Sequence, residues 1–336
     1  MKTATIKDIA LALGVSVATV SRALTNKHDV SEQMREKVLD MAKKLHYKPN
    51  IHARNLLKNK NNMIGVVVPE FITFFFPEII IGIQEVLNPL GYQVLICQSN
   101  ESSTLERKNV EMLENQMVEG LIISVAKESR NYELYERLAS ESMPIVFINR
   151  VINRLNVSKV IIDDRKWAFK AVEHLIKCGY RRIAHLAGNE HLSITQERLQ
   201  GYLDALKAYD IPIDECLIMH VGVQQDKGKI GLNYLLNLKQ KPDAIFAVND
   251  PVAVGVLLEL KAQNIKVPEE IAVVGFSESP IGKILGLTSV AQPTSKIGEV
   301  AAQMLLEKIQ EPNSPPRTQI LEGQLNIRSS SLRKKH

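Results

Sequence analysis

GVSVATVSRAL (residues 14–24) packs a glycine, two serines, a threonine and an arginine into a stretch too short and too polar to build a core alone. Just upstream, Ile6, Ile9, Ala10 and Leu13 follow Thr5 at i, i+3, i+4, i+7 spacing, with Asp8 placed for a capping box, so a first helix is expected. Gly14-Val15-Ser16 breaks it, because glycine accepts the left-handed conformation that ends helices. Ser16 then caps a second helix through Leu24, whose inward face is Val20, Ala23 and Leu24. Ser31 caps a third, with Val38, Met41, Ala42 and Leu45 as its apolar stripe. Two short helices joined by a three-residue turn, closed by a third, read as a helix-turn-helix.

Helix two cannot bury Val17, Ala18, Ser21 and Arg22 together with Val20 and Leu24, since the two sets lie on different faces. The outward set is small, flat and ends in a guanidinium, which suits a major groove. Ser16 and Thr19, at the helix start, are placed for phosphate oxygens, and Arg22 for a bidentate contact to guanine. A three-helix module that docks a protein has the same hydrophobic pattern and stays open on pattern alone. Charge favours nucleic acid: residues 1–60 hold 12 Lys/Arg against 5 Asp/Glu, a net of +7, whereas the rest of the 336-residue chain is near neutral at −2.

The next segment, YKPNIHARNLLKNKNN, has Pro49 to stop the third helix and Asn50 to cap a two-turn helix with Ala53, Leu56 and Leu57. So short a helix orders only against a partner. TIKDIALALGVSVATVSRAL followed by YKPNIHARNLL closely resembles the lactose/galactose repressor family of bacterial transcription regulators, and the likeness extends over essentially the whole chain. The resemblance implies a helix-turn-helix headpiece (1–48), a hinge helix and linker (49–61) and a two-lobed body (62–336) like a periplasmic sugar-binding protein. It implies lobe one from 62–162 plus 292–326, lobe two from 163–291, and three crossings between them. It also implies DNA contacts from Thr5, Ser16, Val17, Ala18, Thr19, Ser21, Arg22, Asn26, Asn50 and Ala53. The hinge helix is expected to pair with its dimer mate, so that Leu56 wedges into a minor-groove step. The asparagine usual just after the recognition helix is Thr25 here, followed by Asn26.

The body independently reads as α/β. Apolar runs at 64–69, 94–97, 121–125, 145–149, 159–163, 183–187, 244–248 and 272–276 alternate with helical stretches such as EIIIGIQEVL and PVAVGVLLELKAQN. Runs apolar on both faces mean parallel sheets covered on both sides, and about a dozen strands imply two doubly wound lobes. Ligands of such sheets sit beyond the carboxyl ends of the strands. Those ends carry Phe74–Phe76, Asn149-Arg150, Asp163-Asp164, Asn249-Asp250 and Ser277-Glu278, with Arg198 opening RLQGYLDAL.

Rings, an arginine and amide or carboxylate groups suit a small polyhydroxylated ligand. The expected effector contacts are Phe75, Phe76, Arg150, Arg198, Asn249, Asp250 and Ser277, among which the family resemblance singles out Phe75, Phe76, Arg198 and Asn249. From the residues alone, Phe74–Phe76 serve equally as core, Asp163 and Asp250 equally as helix caps, and Arg198 as a surface arginine. Ser277 stands where the family usually has an aspartate, so the ligand of better-known members does not transfer. Leu192 and Ile194, apolar before Arg198, favour a sugar or sugar acid over a purine.

Other classes find little support. No G-x-G-x-x-G follows a strand, GVQQDKGKI (222–230) has the wrong spacing for a phosphate loop, and no G-x-S-x-G is present. Neighbouring Asp163 and Asp164 would point to opposite faces of a strand, a poor arrangement for shared acid–base work, so no enzyme is expected. Cys97, Cys178 and Cys216 are odd in number and widely spaced, and histidines lack partners at ligand spacing, so free thiols, no metal and no cofactor are expected. No apolar run reaches membrane-spanning length and the N-terminal stretch is interrupted by Asp8, so no membrane association and a cytoplasmic location are expected. The tail RSSSLRKKH is too short and charged for a tetramer-forming helix. A homodimer on a roughly palindromic double-stranded operator is the expected assembly.

Overall fold

A computed structural model describes residues 4–24, 29–47 and 61–332, which divide into two compact units at Asn61/Asn62. Asn26, Asn50, Ala53 and Leu56 lie outside the described residues.

The first unit contains α1 (Ile6–Leu13), α2 (Val17–Leu24) and α3 (Glu32–Lys44). The Asp8 carboxylate accepts hydrogen bonds from the Thr5 N–H and hydroxyl, both at 2.7 Å, closing the start of α1. Gly14 ends that helix at φ 64°, a conformation a side chain would strain. Ser16 accepts from the Thr19 N–H at 3.0 Å and Ser31 from Met34 at 3.4 Å, so each serine caps its helix. Ile9, Ala10, Val20, Ala23, Val38 and Ala42 form the small core.

The second unit holds two six-stranded sheets. In sheet one, β1 (Met63–Val68), β2 (Gln93–Gln98), β3 (Gly120–Ile123), β4 (Ile145–Ile148), β5 (Ser158–Ile162) and β11 (Thr318–Leu321) lie in the order β2-β1-β3-β4-β5-β11, all parallel. In sheet two, β6 (Ile183–Ala187), β7 (Ile218–His220), β8 (Ala244–Ala247), β9 (Ala272–Ser277), β10 (Thr288–Ala291) and β12 (Gln324–Asn326) repeat that order as β7-β6-β8-β9-β10-β12. Only the β10–β12 pairing is antiparallel. The strands are apolar on both sides because each side is covered. In β1, Ile64, Val66 and Val68 enter one core while Val67 enters another.

Intervening helices cover the sheets: α4 (Phe75–Leu87), α5 (Ser103–Asn115), α6 (Tyr132–Ser140) and α12 (Thr294–Gln310) on sheet one, and α7 (Asp164–Lys177), α8 (Ser193–Ala208), α9 (Gln225–Leu236), α10 (Asp250–Ala262) and the short α11 (Pro280–Ile284) on sheet two. At the α4–α12 contact a Cβ on Gly82 would sit 2.1 Å from the Ser295 carbonyl oxygen, and one on Gly298 2.0 Å from that of Ile79. The two backbones meet there with no room for a side chain. No helix among the described residues is long and apolar enough to cross a membrane.

The chain passes between the sheets three times: through Asp163 between β5 and α7, through Gln292-Pro293 between β10 and α12, and through Glu322-Gly323 between β11 and β12. The third crossing comes earlier than expected. Residues 324–326 pair with β10, so they belong to lobe two rather than to the expected 292–326 segment of lobe one. The physical reason is the vacant edge of β10: its unpaired backbone groups take up the returning chain, which its short apolar pattern did not announce.

The core of lobe two contains His185, fully buried on β6. Its ring stacks between Phe246 (4.8 Å) and Tyr202 (5.2 Å), and its Nδ1 lies 3.0 Å from the Phe246 carbonyl oxygen. Burial lowers its pKa from 6.5 to about 4. The folded protein therefore holds His185 neutral where the unfolded chain takes up a proton. Stability from this residue is complete above pH about 6.5 and falls as the pH drops toward 4, by about 3 kcal/mol in total at ~1.4 kcal/mol per unit. Urea unfolding from pH 7.5 to 4 should show this slope, and His185→Leu, although less stable at neutral pH, should lose that part of it.

Candidate functional site

Two surfaces gather the candidate residues. On α2, at 100° per residue, positions 17, 18, 21 and 22 fall within an arc of about 140°. Val20 and Ala23 are buried on the other side. Ser16, Val17, Ala18 and Arg22 are exposed, and Thr19 and Ser21 half-buried. The Ser16 and Thr19 hydroxyl oxygens lie 2.8 Å apart at the helix start. Arg22 lies along the helix with its Nε donating to the Ala18 carbonyl at 3.3 Å. This is a small-residue face with polar groups at one end and a guanidinium toward the other.

In the body, the one- or two-residue crossings join the carboxyl ends of β5, β10 and β11 directly to the opposite lobe, so the carboxyl ends of both sheets must face each other. In each sheet the strand order reverses between its first and third strands, at β1/β3 and at β6/β8, and ligands bind at such switch points. The segments after β3 and after β6 do converge. A cavity of about 240 Å³ is lined by Lys127, Ser129, Arg150 and Arg154 of lobe one and by His191 and Ser193 of lobe two, among others.

Arg198 on α8 is 2% exposed, yet charged. Its Nε donates to Asp164 Oδ1 at 2.7 Å, its Nη1 to the Val248 carbonyl at 2.6 Å, and its guanidinium lies 3.7 Å over the Phe276 ring. Burial pushes the Asp164 carboxyl above its ordinary value, while the Arg198 charge pulls it back. Arg150, after β4, is held by Glu101, whose two oxygens lie 2.8 and 2.9 Å from Nη1. Its guanidinium lies 5.9 Å from the Phe76 ring.

The other expected contacts are placed differently. Phe76 is 2% exposed and belongs to the lobe-one core; Phe75 is half-buried against it at 5.1 Å, and the outward ring is Phe74. Asp250 is fully buried as a structural carboxylate, accepting from the Ser289 hydroxyl and the Ser279 N–H at 2.5 Å each. It is therefore not available as an effector contact, because burial with both oxygens bonded leaves nothing to offer. Burial raises its pKa, against those two bonds. Asn249 is half-buried and caps α10, accepting from Val252 at 3.0 Å and donating to the Val223 carbonyl at 2.8 Å. Ser277, at φ 111°, accepts from Gln292 Nε2 at 3.1 Å. Asp163 caps α7, accepting from Lys166 at 2.9 Å.

Sequence reasoning missed the partners. Asp164 was visible only as half of a carboxylate doublet, 34 residues from Arg198, and Glu101 lies 49 residues from Arg150. It also missed Ser124, Thr195 and Gln292. Among the described residues these, with Arg150, supply buried polar atoms that lack a partner: Ser124 Oγ, Thr195 Oγ1, Gln292 Oε1 and Arg150 Nε. Ser124 and Gln292 directly follow strand ends, Arg150 comes two residues after β4 and Thr195 lies in the first turn of α8, so closeness to a strand or helix end was the available signal. Buried orphans are costly, and a ligand is one group that can complete them; His185 Nε2 in the lobe-two core and Trp167 Nε1 on α7 are orphaned as well.

Removing Arg198 strands Asp164 as a buried charge. Arg198→Ala should cost about 3–5 kcal/mol of stability, and adding Asp164→Asn should restore a large part of it. Chemical denaturation of the two variants and the parent checks this; equal losses in both would mean the carboxylate does not depend on Arg198.

The geometry can be set beside known proteins. Residues 5–50 match the family described as bacterial regulatory proteins, lacI family, and residues 61–328 match the periplasmic binding proteins and sugar binding domain of the LacI family. The chain is 34% identical to the HTH-type transcriptional regulator DegA of Bacillus subtilis (strain 168) over 301 residues, 89% of each chain. It is 33% identical to the HTH-type transcriptional repressor CytR of Escherichia coli (strain K12) over 330 residues, 98% of this chain and 96% of that one. Among solved structures, the lac repressor dimer bound to operator and the anti-inducer ONPF superposes with a TM-score of 0.85 at 25% identity, covering 99% and 100% of the two chains. The transcriptional regulator CelR–cellobiose complex superposes with 0.73 at 30% identity, covering 97% and 99%. A shared headpiece, a shared two-lobed body and identity sustained along nearly the whole length have one explanation: the chain belongs to the LacI family of bacterial transcription regulators.

Proposed function

We propose that this protein is a dimeric, sequence-specific transcriptional repressor whose operator affinity is set by a small molecule, a sugar or sugar derivative, bound between its lobes. The observation that carries the effector half of this reading is the set of orphaned polar atoms of Ser124, Arg150, Thr195 and Gln292 at the facing strand ends. Arg198 supports it: Asp164 and the Phe276 ring hold its guanidinium rigid, at low entropic cost to a bound ligand. Arg198, Arg150, Phe75, Asn249 and Ser277 surround the ligand in this reading, with Phe76 and Asp250 acting from beneath as supports. Of this set Arg150 lines the cavity of about 240 Å³, which the start of α8 also borders. The relatives fit, since one matched structure is a cellobiose complex.

The exposed α2 face carries the DNA half. Val17, Ala18 and Ser21 lie against base edges, Ser16, Thr19 and Thr5 on phosphates, and Arg22 on a guanine. Asn26, Asn50 and Ala53 add backbone contacts, and Leu56 wedges a central step in the minor groove, where a pyrimidine–purine step unstacks at least cost. A symmetric dimer requires a roughly palindromic operator, and one matched structure is a repressor dimer bound to operator. Such a regulator works beside the chromosome, in the cytoplasm, and performs no catalysis. The effector shifts the balance of lobe arrangements only by its difference in affinity for them.

Selection from a randomised duplex pool should yield a palindrome with a guanine at one symmetric position. Arg22→Ala should weaken binding by about 1–3 kcal/mol per half-site and erase the preference at that position alone. Retained guanine preference in Arg22→Ala would remove this residue from base reading. A thermal-shift and operator-release screen of sugars tests the effector half.

A further inference from the structure

We infer that the effector carries an anionic group, a carboxylate or a phosphate, held at one end of the cleft by Lys127, Arg150, Arg154 and the start of α8. This rests on the reading of the cleft as the effector site and specifies the chemistry that site selects.

Hydrogen-bonding capacity decides the class. A neutral sugar hydroxyl both donates and accepts, so a site for it offers both kinds of partner, whereas ammonium, guanidinium and backbone N–H groups only donate. The cavity between the segments after β3 and β6 is rich in donors. Its charged lining is Lys127, Arg150 and Arg154 against Glu128 alone, with His191 at the lobe-two side. Among the described residues, no carboxylate lies in salt-bridge contact with Lys127 or Arg154. Lys127 makes no ion pair, and Arg154 instead stacks its guanidinium 3.5 Å over the Tyr132 ring. The Ser129 hydroxyl is already donated to Glu106, and His191 lies 3.9 Å from Glu190.

Arg150 is the independent observation. Arg150 lines the cavity and is 5% exposed, and Glu101 is engaged through Nη1 alone, leaving Nε buried without a partner. An arginine that served only to hold Glu101 would present its fork; this one keeps a donor in reserve. Opposite, α8 begins at Ser193 with Leu192 as its N-cap residue. That residue has no oxygen to cap the opening N–H groups, and no acidic side chain occupies the first turn. The 16-residue helix therefore turns an uncompensated positive end toward the same cavity. Donors from both lobes meet there, so an anion would also draw the lobes together.

The test uses the full chain and matched probes: aldopentoses and aldohexoses, each as the neutral sugar, the corresponding sugar acid and the phosphate ester, with inorganic phosphate and acetate alone. Thermal shift, calorimetry and operator release are read for the parent, for Lys127→Gln/Arg154→Gln, and for Lys239→Gln/Lys241→Gln as a control for surface charge. Ligands should be confined to the acid or ester members, with whichever binds tighter identifying the group. Affinity should fall at least tenfold in Lys127→Gln/Arg154→Gln and stay within twofold in the control. A neutral sugar that binds parent and Lys127→Gln/Arg154→Gln alike and releases operator overturns the anionic class while leaving effector control standing. An anion that binds in the Lys127- and Arg154-dependent manner but leaves operator binding unchanged supports the anion site and removes the regulatory reading. No anion-dependent shift at all, inorganic phosphate included, overturns the site.

Discussion

Three crossings of one or two residues each constrain everything else in the body. A connection that short cannot travel around a sheet, so the carboxyl end of every strand it leaves must lie against the opposite lobe. Parallel sheets gather their strand-end loops on one side, and here the two gathered sides are turned toward each other. The polar cleft therefore follows from connectivity before any particular side chain is considered. Its opening or closing has to be absorbed at Asp163, Gln292-Pro293 and Glu322-Gly323, because these are the covalent joints between the lobes.

The charged residues of the cleft show what such a place requires. A guanidinium at 2% or 5% exposure is unstable unless paired, and each lobe supplies one pair, Arg198 with Asp164 and Arg150 with Glu101. Each arginine also lies near an aromatic ring of its own lobe, Phe276 or Phe76, and those rings are held by the cores. The pairs add little net stability compared with apolar packing, but they fix the direction of a charge. Behind them Glu106, fully buried, accepts from the Ala126 N–H at 2.6 Å, Asn131 at 2.8 Å and Tyr135 at 2.9 Å, and so pins the segment after β3 that lines the cavity. A paired charge and an unfilled hydrogen bond thus meet at Arg150, one of the residues lining that cavity.

The repeated strand order of the two sheets gives a cleft with equivalent walls, yet the side chains on the walls differ. Lobe one contributes Lys127, Arg150 and Arg154, and lobe two contributes His191 and a helix start. Complementary donors on opposite walls are the physical means by which one small ligand favours a particular lobe arrangement, since it gains most where both walls reach it.

The headpiece was legible almost residue by residue, because its determinants are local: Asp8 at N3, Gly14 at the turn, Ser16 and Ser31 as caps, and a 3.6-residue apolar period that left Val17, Ala18 and Arg22 outside. The sequence also carried the α/β alternation and two sheets, since strands apolar on both faces can exist only between covering layers. Pairing at long range was decided by the tertiary structure alone. Short strands with weak patterns, β10, β11 and β12, took their places from open sheet edges, which moved the third crossing to 322–323. Asp164 and Glu101 became partners of arginines 34 and 49 residues away, Asp250 and Phe76 turned inward, and Ser124 and Gln292 were left with unfilled bonds. A residue type states what a side chain can bond; only the folded backbone brings the partner within 3 Å or withholds it.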